Sequence, residues 1–294
     1  MTALVTGAGK RLGKAIALYL AGRGHDVAIH FNGARDEAEA TAAEARALGV
    51  RAKIFQADLI DLDQCEALMP AVNAALGQVS VLVNNASVFE YDNIHSATRR
   101  NWDRHMGSNL RAPFILTQAF AAQAPEAAFE EGEPLAQGLI INMVDQRVLK
   151  PTPEFMTYSL AKAGLWALTK TAAQALAPAI RVNAIGPGPT VQGTRQSAEH
   201  FARQRAATIL ERGADASDIV AAVGYLLDAR AVTGQLICVD GGQHLGWKTP
   251  ISLAWNRCAL PRTLYPCGKL YTGAEALTQH SLFFIWIQQT GRGR

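Results

Sequence analysis

The chain has 294 residues, of which 49% are hydrophobic and 18% charged, and its formal net charge at pH 7 is +3. This composition is typical of a compact enzyme with a sizeable core, and it argues against a disordered chain and against a nucleic-acid partner. The four cysteines are scattered without C-x-x-C spacing, which favours reduced thiols over a metal site, and no apolar run approaches the roughly 20 residues that span a bilayer.

Short apolar strands alternate with longer amphipathic helices along most of the chain. The predicted strands are Ala3–Thr6, Val27–Phe31, Ala52–Gln56, Val79–Asn84, Leu139–Val144, Ile180–Ile185 and Leu236–Asp240. The helical patterns between them include Leu12–Gly22, Asp36–Leu48, Leu62–Leu76, Trp102–Ala122 and Phe155–Leu176. Because such strands need helices on both faces, the pattern predicts an α/β protein with a parallel, doubly wound Rossmann-type sheet in one domain.

The alternation stops after the segment VDGGQHLGW. We therefore expect the domain to occupy residues 1–247 and residues 248–294 to be an atypical C-terminal extension. This segment is interpreted as a poorly ordered extension, a docking segment or the product of a reading-frame accident. At the other end, the chain starts directly with MTALVTGAGKRLG, which leaves no room for a signal peptide and predicts a cytoplasmic location.

The first strand leads into a glycine-rich turn, TGAGKRLG, at Thr6–Gly13. Such a turn before a helix lets backbone N–H groups approach a pyrophosphate at the positive end of the helix. The glycines Gly7, Gly9 and Gly13 do not meet the strict G-x-G-x-x-G pattern, and glycines in such turns also occur for geometric reasons alone. The position at the first strand–helix turn of an alternating chain favours dinucleotide binding.

Tyr158 and Lys162, in the segment YSLAK, lie four residues apart within a helical pattern. Both side chains should point into the same space. A lysine charge beside a phenol favours the phenolate, so we expect the pKa of Tyr158 to be lowered toward the working range of an acid/base group. An isolated Y-x-x-x-K pattern is more often an ordinary exposed helix turn, so the surrounding motifs decide.

These motifs, together with NNAS at Asn84–Ser87, Asn109 in a long helical pattern and GPG at Gly186–Gly188, resemble the short-chain dehydrogenase/reductase family. The resemblance implies a single Rossmann domain with a seven-stranded parallel sheet. It also implies hydride transfer between a nicotinamide dinucleotide and a carbonyl, alcohol or imine. Tyr158 would then donate the proton, Lys162 would lower the pKa of Tyr158 and bind the nicotinamide ribose, and Asn109 would support a proton-relay water.

Two positions depart from the usual family pattern. Arg11 replaces the middle glycine of T-G-x-x-x-G-x-G, and Asp145 replaces the catalytic serine thirteen residues before Tyr158. A serine donates a hydrogen bond to a carbonyl, whereas an ionised aspartate can only accept one. A heterocycle with N–H groups, or a protonated Asp145, would resolve this mismatch. The alternative is a solvated aspartate in an enzyme that has lost its activity.

Both departures resemble the pteridine reductase branch of the family. The segments that carry this resemblance are KRLG at Lys10–Gly13, NNASVF at Asn84–Phe89 and NMVD at Asn142–Asp145. The branch reduces biopterin and folate, so the resemblance implies a pterin substrate.

The pteridine reductase resemblance also assigns substrate-binding roles. Arg11 would reach the cofactor phosphates and the substrate side of the pocket, and Phe89 would stack on the pterin ring against the nicotinamide. Ser87 and Asp145 would line the pocket, and Asp145 would join Tyr158 in delivering a proton to a ring nitrogen. Without the flanking motif, Phe89 would be interpreted as a core or loop aromatic.

The end of the second strand, AIHFNGAR, favours NADPH over NADH. It contains His30, Asn32 and Arg35, whereas an NAD enzyme usually has an acid there that binds the ribose 2′-OH. Positive charge from Lys10 and Arg11 would suit a 2′-phosphate, although a solvated surface explains Arg35 nearly as well. Asp58 matches the family residue that contacts adenine. The predicted cofactor-binding residues are Gly7, Lys10, Arg11, Leu12, His30, Phe31, Asn32, Asp58, Leu59, Asn85, Ala86, Ser87, Tyr158, Lys162, Pro187 and Gly188.

The leading hypothesis is an NADPH-dependent reductase of a pterin such as dihydrobiopterin, dihydromonapterin or dihydrofolate. An alternative is a reductase of another carbonyl or imine, such as a 3-oxoacyl thioester, against which Asp145 argues. A third is a cofactor-sensing protein without turnover, against which the intact Tyr158–Lys162 pair argues. A homo-oligomer, a tetramer, is expected from the family resemblance alone.

Overall fold

The computed structural model describes residues 1–192 and 196–247, and its strands and helices alternate along this part of the chain. In chain order the strands are β1 Thr2–Val5, β2 Asp26–Phe31, β3 Ala52–Gln56, β4 Val79–Asn84, β5 Ala128–Glu130, β6 Glu133–Leu135, β7 Gly138–Met143, β8 Ile180–Pro187 and β9 Leu236–Val239. The helices are α1 Arg11–Gly22, α2 Arg35–Ala47, α3 Leu62–Leu76, α4 Arg99–Met106, α5 Ala112–Gln123, α6 Met156–Leu176, α7 Ala198–Ala206 and α8 Ala216–Asp228.

Seven of these strands form one parallel sheet in the order β3-β2-β1-β4-β7-β8-β9. The prediction of a seven-stranded parallel sheet is confirmed, and the predicted strand ends differ from the observed ones by one or two residues. The chain order reverses between β1 and β4, which lie side by side at the centre of the sheet. In such a fold the ligand crevice lies outside the carboxyl ends of the strands at this reversal.

Two hydrophobic layers cover the two faces of the sheet. One joins the sheet to α1, α2 and α8 through side chains such as Ile16, Leu20 and Val223. The other joins it to α3, α5 and α6 through side chains such as Leu68 and Phe120. Residues 1–246 form one compact unit, and the predicted extension 248–294 lies outside the described residues, so it stays a prediction.

Three features were not predicted. The antiparallel pair β5–β6 has strands of three residues that are mostly exposed, so it shows no apolar alternation. Helix α7 has no apolar stripe in its sequence, AEHFARQRA, and buries none of its side chains. Helix α8 has both an apolar stripe and a capping box at Asp215 and Asp218, and these two signals could have identified it from sequence. The single helix predicted at Trp102–Ala122 is interrupted by a π-helical turn at Gly107–Arg111 between α4 and α5.

Candidate active site

The glycine-rich turn between β1 and α1 is built for close backbone contact. Gly7 has a φ of +63°, and a Cβ atom on Gly13 would lie only 2.2 Å from the Gly7 carbonyl oxygen. The side chain of Asn85 donates to the Thr6 carbonyl oxygen at 2.8 Å, and the Thr6 hydroxyl accepts from the N–H groups of Asn85 and Ala86, each at 2.9 Å. The NNAS segment after β4 therefore holds the turn in place.

The N-terminal end of α1 suits an anion. Lys10, which precedes the helix, makes no side-chain capping bond, and the first turn contains no acidic residue. The first backbone N–H groups of a helix need partners from outside it, and the helix dipole favours a negative charge there. A dinucleotide pyrophosphate fits this end of the helix.

Arg11 has a φ of +57°, in the left-handed region where the usual family glycine would be unstrained. For a non-glycine residue this conformation costs about 1–2 kcal/mol. The guanidinium Nη2 donates to the Val191 carbonyl oxygen at 3.1 Å, in the segment after β8. Since β8 and β2 lie on opposite sides of β1, this points Arg11 toward the end of β8 and away from the end of β2.

His30 adds no positive charge at the end of β2. It is buried, its Nδ1 accepts from the Gly7 N–H at 3.0 Å, and its Nε2 lies 3.0 Å from the Ala57 carbonyl oxygen, to which it donates. Burial lowers the pKa of His30 to about 4, so the ring is neutral at pH 7. His30 stabilises the glycine-rich turn through its hydrogen bond with Gly7, and its neutral ring offers no charge to a phosphate.

Two exposed cations remain near the end of β2. Lys10 lies 3.8 Å from Glu37, and the guanidinium of Arg35 lies 5.8 Å from the centre of the Phe31 ring. Asp58, predicted to contact adenine, accepts from the Ile60 N–H at 3.0 Å and lines an open cavity of about 550 Å³.

Several other predicted cofactor residues have side chains that are buried, packed against the core or, for Gly188, absent. Phe31 and Leu59 are buried in the core, and Leu12 packs against it. Gly188 follows β8, where a Cβ atom would lie 2.6 Å from the Cβ atom of Asp240. Asn32, Pro187 and Ala86 lie at the carboxyl ends of β2, β8 and β4, so the predicted cofactor residues lie along one edge of the sheet.

Tyr158, Lys162 and Asp145 come together at the start of α6. The Tyr158 hydroxyl donates to the Asp145 Oδ2 atom at 2.9 Å. The Lys162 Nζ atom donates to the Met143 carbonyl oxygen at 2.7 Å and lies 5.7 Å from the centre of the Tyr158 ring. Both Tyr158 and Lys162 are buried, so they are not the exposed pair of an ordinary helix turn.

The prediction that Tyr158 has a lowered pKa is wrong for this arrangement. Burial and the neighbouring Asp145 raise the pKa of Tyr158 well above its ordinary value, although Arg147 and a hydrogen bond with Ser87 act in the opposite direction. Burial lowers the pKa of Lys162 to about 8, and burial raises the pKa of Asp145. The phenol therefore keeps its proton, and burial favours the protonated form of Asp145.

Asn109 lies in the π-helical turn, and π-helical turns are frequent at functional sites. Its side chain is fully buried, accepts from the Val88 N–H at 2.9 Å and donates to the Val88 carbonyl oxygen at 2.8 Å. Asn109 thus fixes the segment between Ser87 and Phe89. Its predicted part in a water relay stays a prediction.

Phe89 belongs to an aromatic cluster at the mouth of the site. Its ring stacks on Phe155 with centroids 4.3 Å apart and planes 8° apart, and it meets the Tyr158 ring edge-on at 4.7 Å. Phe89 is 52% exposed, which excludes its interpretation as a core aromatic. An exposed phenyl ring beside Tyr158 can contact a flat aromatic ring.

A buried polar network that the sequence analysis missed lies under this cluster. The Asp92 carboxylate accepts from both the N–H and the hydroxyl of Thr157, and the His105 Nδ1 atom lies 2.6 Å from that hydroxyl. The Asp92 carbonyl oxygen also accepts from the Phe155 N–H at 2.8 Å. This network ties the start of α6 to the segment that carries Phe89, and no motif in the sequence indicates a contact over such a separation.

Within the described parts of the chain, no group of His, Cys, Asp and Glu side chains could hold a metal ion. No helix in those parts is both long and apolar enough to span a membrane.

The chain is similar to known oxidoreductases. A family model described as enoyl-(acyl carrier protein) reductase matches residues 7–244. The 3-oxoacyl-(acyl-carrier-protein) reductase FabG of Staphylococcus epidermidis is 34% identical over 249 residues, which cover 83% of this chain and 99% of FabG.

Two solved structures resemble the fold closely. FolM alternative dihydrofolate reductase 1 from Brucella suis, in complex with NADP, is 42% identical with a TM-score of 0.79, and the match covers 85% of this chain and 97% of FolM. A blue fluorescent protein from a metagenomic library, in complex with NADPH, is 31% identical with a TM-score of 0.75, covering 82% of this chain and 96% of that protein. Both hold a phosphorylated nicotinamide dinucleotide, in agreement with the predicted NADPH.

Proposed function

The chain belongs to the short-chain dehydrogenase/reductase family of oxidoreductases, and we propose that it is an NADPH-dependent reductase of a pterin of the dihydrobiopterin, dihydromonapterin or dihydrofolate type. The observation that carries this proposal is the hydrogen bond of 2.9 Å from Tyr158 to Asp145, an acid where most of the family has a serine. The similarity to FolM, which is named an alternative dihydrofolate reductase, supports the same substrate class.

NADPH fits the residues at the carboxyl edge of the sheet. The Gly7–Gly13 turn and the uncapped start of α1 would hold the pyrophosphate, and Lys10 and Arg35 would face the 2′-phosphate. Lys162 would bind the nicotinamide ribose. NADPH bound in this way supplies the hydride.

The chain's own contribution is the proton. When Asp145 is ionised, the Tyr158 hydroxyl is committed to it as a donor. When Asp145 takes up a proton, it can donate to the Tyr158 oxygen instead, which frees the phenolic proton for a substrate nitrogen. Because burial raises the pKa of Asp145, this protonated form is accessible under milder conditions than for an exposed aspartate. The pair then delivers one proton to the ring nitrogen, and the carboxylic acid restores the phenol.

Phe89 supports a flat substrate rather than an extended one. Its exposed ring lies edge-on to Tyr158, so a heteroaromatic ring stacked on Phe89 would lie within reach of the phenol. Such stacking contributes about 0.5–1.5 kcal/mol beyond area burial. Arg11 and Ser87 would complete the substrate side of the pocket.

Reduction of a 3-oxoacyl thioester is the second candidate, and the similarity to FabG is the observation that favours it. A thioester's ketone needs a hydrogen-bond donor at the position that Asp145 occupies. An ionised Asp145 offers only acceptors, and a protonated one offers a single donor that Tyr158 already faces. A pterin also carries N–H groups from which an ionised Asp145 can accept, whereas a ketone has none, so the site suits a pterin better than a ketone.

The test is NADPH oxidation measured with a panel of dihydrobiopterin, dihydromonapterin, dihydrofolate, a 3-oxoacyl thioester and a simple ketone. We expect the highest kcat/KM for one of the dihydropterins. A higher value for the thioester would favour the second candidate. NADPH binding without oxidation of NADPH by any member of the panel would support a cofactor-sensing protein.

The predicted homotetramer is also part of this proposal. Trp102, Phe114 and Leu160 on α4, α5 and α6 are each 46–48% exposed, and burial of such side chains would favour association. Light scattering coupled to size-exclusion chromatography would measure the mass, and a monomer at micromolar concentration would contradict the expectation.

A further inference from the structure

Arg147 contacts the proton-donating pair from the short 3-10 turn after β7. Its backbone N–H donates to the Asp145 Oδ1 atom at 2.8 Å, and its Nε atom lies 4.0 Å from the same oxygen. The other carboxylate oxygen, Oδ2, accepts from Tyr158. Arg147 and Tyr158 therefore hold the carboxylate from its two sides.

The same side chain also contacts the aromatic cluster. The Arg147 guanidinium lies 5.0 Å from the centre of the Phe155 ring, and its Nη1 atom donates to the Thr152 hydroxyl at 2.9 Å. Phe155 has a left-handed φ of +55° at the start of α6, and its ring also contacts the rings of Phe89 and Tyr91. A guanidinium plane over a phenyl face is a favourable contact that an ammonium reproduces poorly.

These contacts close a ring of five side chains. Tyr158 donates a hydrogen bond to Asp145, and the Tyr158 ring contacts Phe89 edge-on. Phe89 stacks on Phe155, and the Arg147 guanidinium lies over the Phe155 ring. Arg147 in turn contacts Asp145, which closes the ring. The proton-donating pair and the exposed stacking face thus share one support.

We propose that Arg147 is a positioning residue for the reduction. Its backbone N–H and Nε atom hold the Asp145 carboxylate toward Tyr158, and its guanidinium face holds the Phe89–Phe155 stack. This inference rests on the proposed function, because it assigns a support to the pair that delivers the proton and to the ring on which the substrate stacks. Neither contact was indicated by the sequence motifs.

Several charged and titratable groups surround the Asp145 carboxyl, and Arg147 is the one whose substitution tests the proposal. From α6, Tyr158 and Lys162 face the carboxyl, and Lys162 is engaged with the Met143 carbonyl oxygen. From β9, Cys238 interacts with Asp145, and burial raises the pKa of that thiol to about 11, so it is neutral at pH 7. Arg147 opposes the effect of burial on the pKa of Asp145 through both its N–H and its charge.

The experiment compares Arg147→Gln, Arg147→Lys and the matched control Lys150→Gln. Lys150 lies three residues away and bonds the Gly246 carbonyl oxygen, so its substitution removes the same charge from the same segment without touching Asp145. The pH dependence of kcat/KM for dihydrobiopterin is measured for each, and Asp145→Asn identifies the limb of the profile that belongs to Asp145. NADPH binding by fluorescence confirms that each variant is folded.

In Arg147→Gln we expect the Asp145 limb to move upward by about one pH unit or more, because a cation within about 4–6 Å lowers a carboxyl pKa by that order. Arg147→Lys should keep the limb near its wild-type position and raise the KM for the pterin several-fold, because the ammonium has no planar face to hold Phe155. Lys150→Gln should change neither. An unmoved limb in Arg147→Gln, an unchanged KM in Arg147→Lys, or an equal shift in Lys150→Gln would each overturn the proposal.

A second measurement separates this inference from the proposed function. Infrared difference spectra of the NADPH complex, with Asp145→Asn as the reference, follow the carboxylic acid band of Asp145 against pH without any turnover. A shifted titration in Arg147→Gln supports the role of Arg147 even if no dihydropterin is reduced. An unshifted titration refutes it even if dihydropterins are good substrates.

Discussion

At the scale of single residues, the proposed chemistry depends on the proton that Tyr158 and Asp145 share. Burial raises the pKa of both groups, but the phenol starts near 10 and the carboxyl near 4, so only the carboxyl is brought toward neutral pH. Lys162 does not produce a phenolate here. In the proposed mechanism it is a buried cation that would bind the ribose and favour negative charge nearby.

Tyr158→Phe removes the hydroxyl and keeps the ring against Phe89 and His105. NADPH binding should persist, whereas turnover should fall by roughly 10²–10⁴, the usual contribution of general acid catalysis. Fluorescence titration with NADPH and steady-state kinetics measure the two effects. Near-wild-type turnover would exclude Tyr158 as the proton donor.

Asp145→Ser restores the residue that is usual in the family. We expect kcat/KM for dihydrobiopterin to fall by roughly 10–100-fold, the equivalent of a charge-assisted hydrogen bond of about 1.5–3 kcal/mol. NADPH binding should be preserved, and weak activity on a simple ketone should appear. The measured quantity is the ratio of kcat/KM for dihydrobiopterin to that for the ketone. A ratio equal to that of the wild type would show that Asp145 does not select the substrate.

The sequence revealed Tyr158 and Lys162 because residues four apart on a helix share a face, and it revealed Asp145 because that residue stands at the serine position of the family motif. The direction of the Tyr158 pKa was mispredicted because it depends on desolvation, a property of the packed structure rather than of neighbours four residues apart. Arg147 and Phe155 were missed for the same reason. Their contacts with Asp145 and Phe89 exist only after β7, α6 and the segment after β4 have come together.

At the scale of secondary-structure elements, the π-helical turn and strand β2 each hold one segment of the site in place through a buried side chain. The π-helical turn places the Asn109 amide against Val88, and β2 places His30 under Gly7. The helical pattern around Asn109 was predicted from sequence, but the change from α to π geometry has no periodic signal. The support that His30 gives to Gly7 was missed, because strand alternation does not show which hydrogen-bond partners the ring nitrogens will find.

His30 should make the stability of the turn depend on pH. In the unfolded chain the ring has a pKa near 6.5, whereas in the fold it is about 4. Stability is therefore fully present above about pH 6.5 and is lost as the pH falls toward 4, by about 2 kcal/mol at pH 5. Urea unfolding at pH 7 and pH 5 measures this difference.

His30→Gln is the control for this pH dependence, because glutamine keeps one acceptor and one donor but does not titrate. The stability difference between pH 7 and pH 5 should shrink by about 2 kcal/mol relative to the wild type. His25 and His105 also have lowered pKa values, and they contribute equally to both proteins. An unchanged difference would mean that His30 is not the titrating group.

At the scale of the whole molecule, the parallel sheet could be predicted because seven apolar strands need two covering layers of helices. The order of its strands was not predicted, because strands that are all apolar do not show which of them lie side by side. Every predicted site residue, from Gly7 to Gly188, lies in the unit formed by residues 1–246. The pair β5–β6 could not be predicted, since its exposed three-residue strands are not needed to close the core.

A chain that ends at Gly246 should therefore fold and bind NADPH as the full chain does. The core layers and the site lie within residues 1–246, and the part of this chain that matches FabG is 83% of it but 99% of FabG. The midpoint and slope of urea unfolding and the Kd for NADPH are compared between the shortened and full-length proteins. Equal values within error support a domain that needs nothing beyond Gly246. A lower midpoint or a weaker Kd in the shortened chain would show that residues 247–294 contribute to the fold or the site.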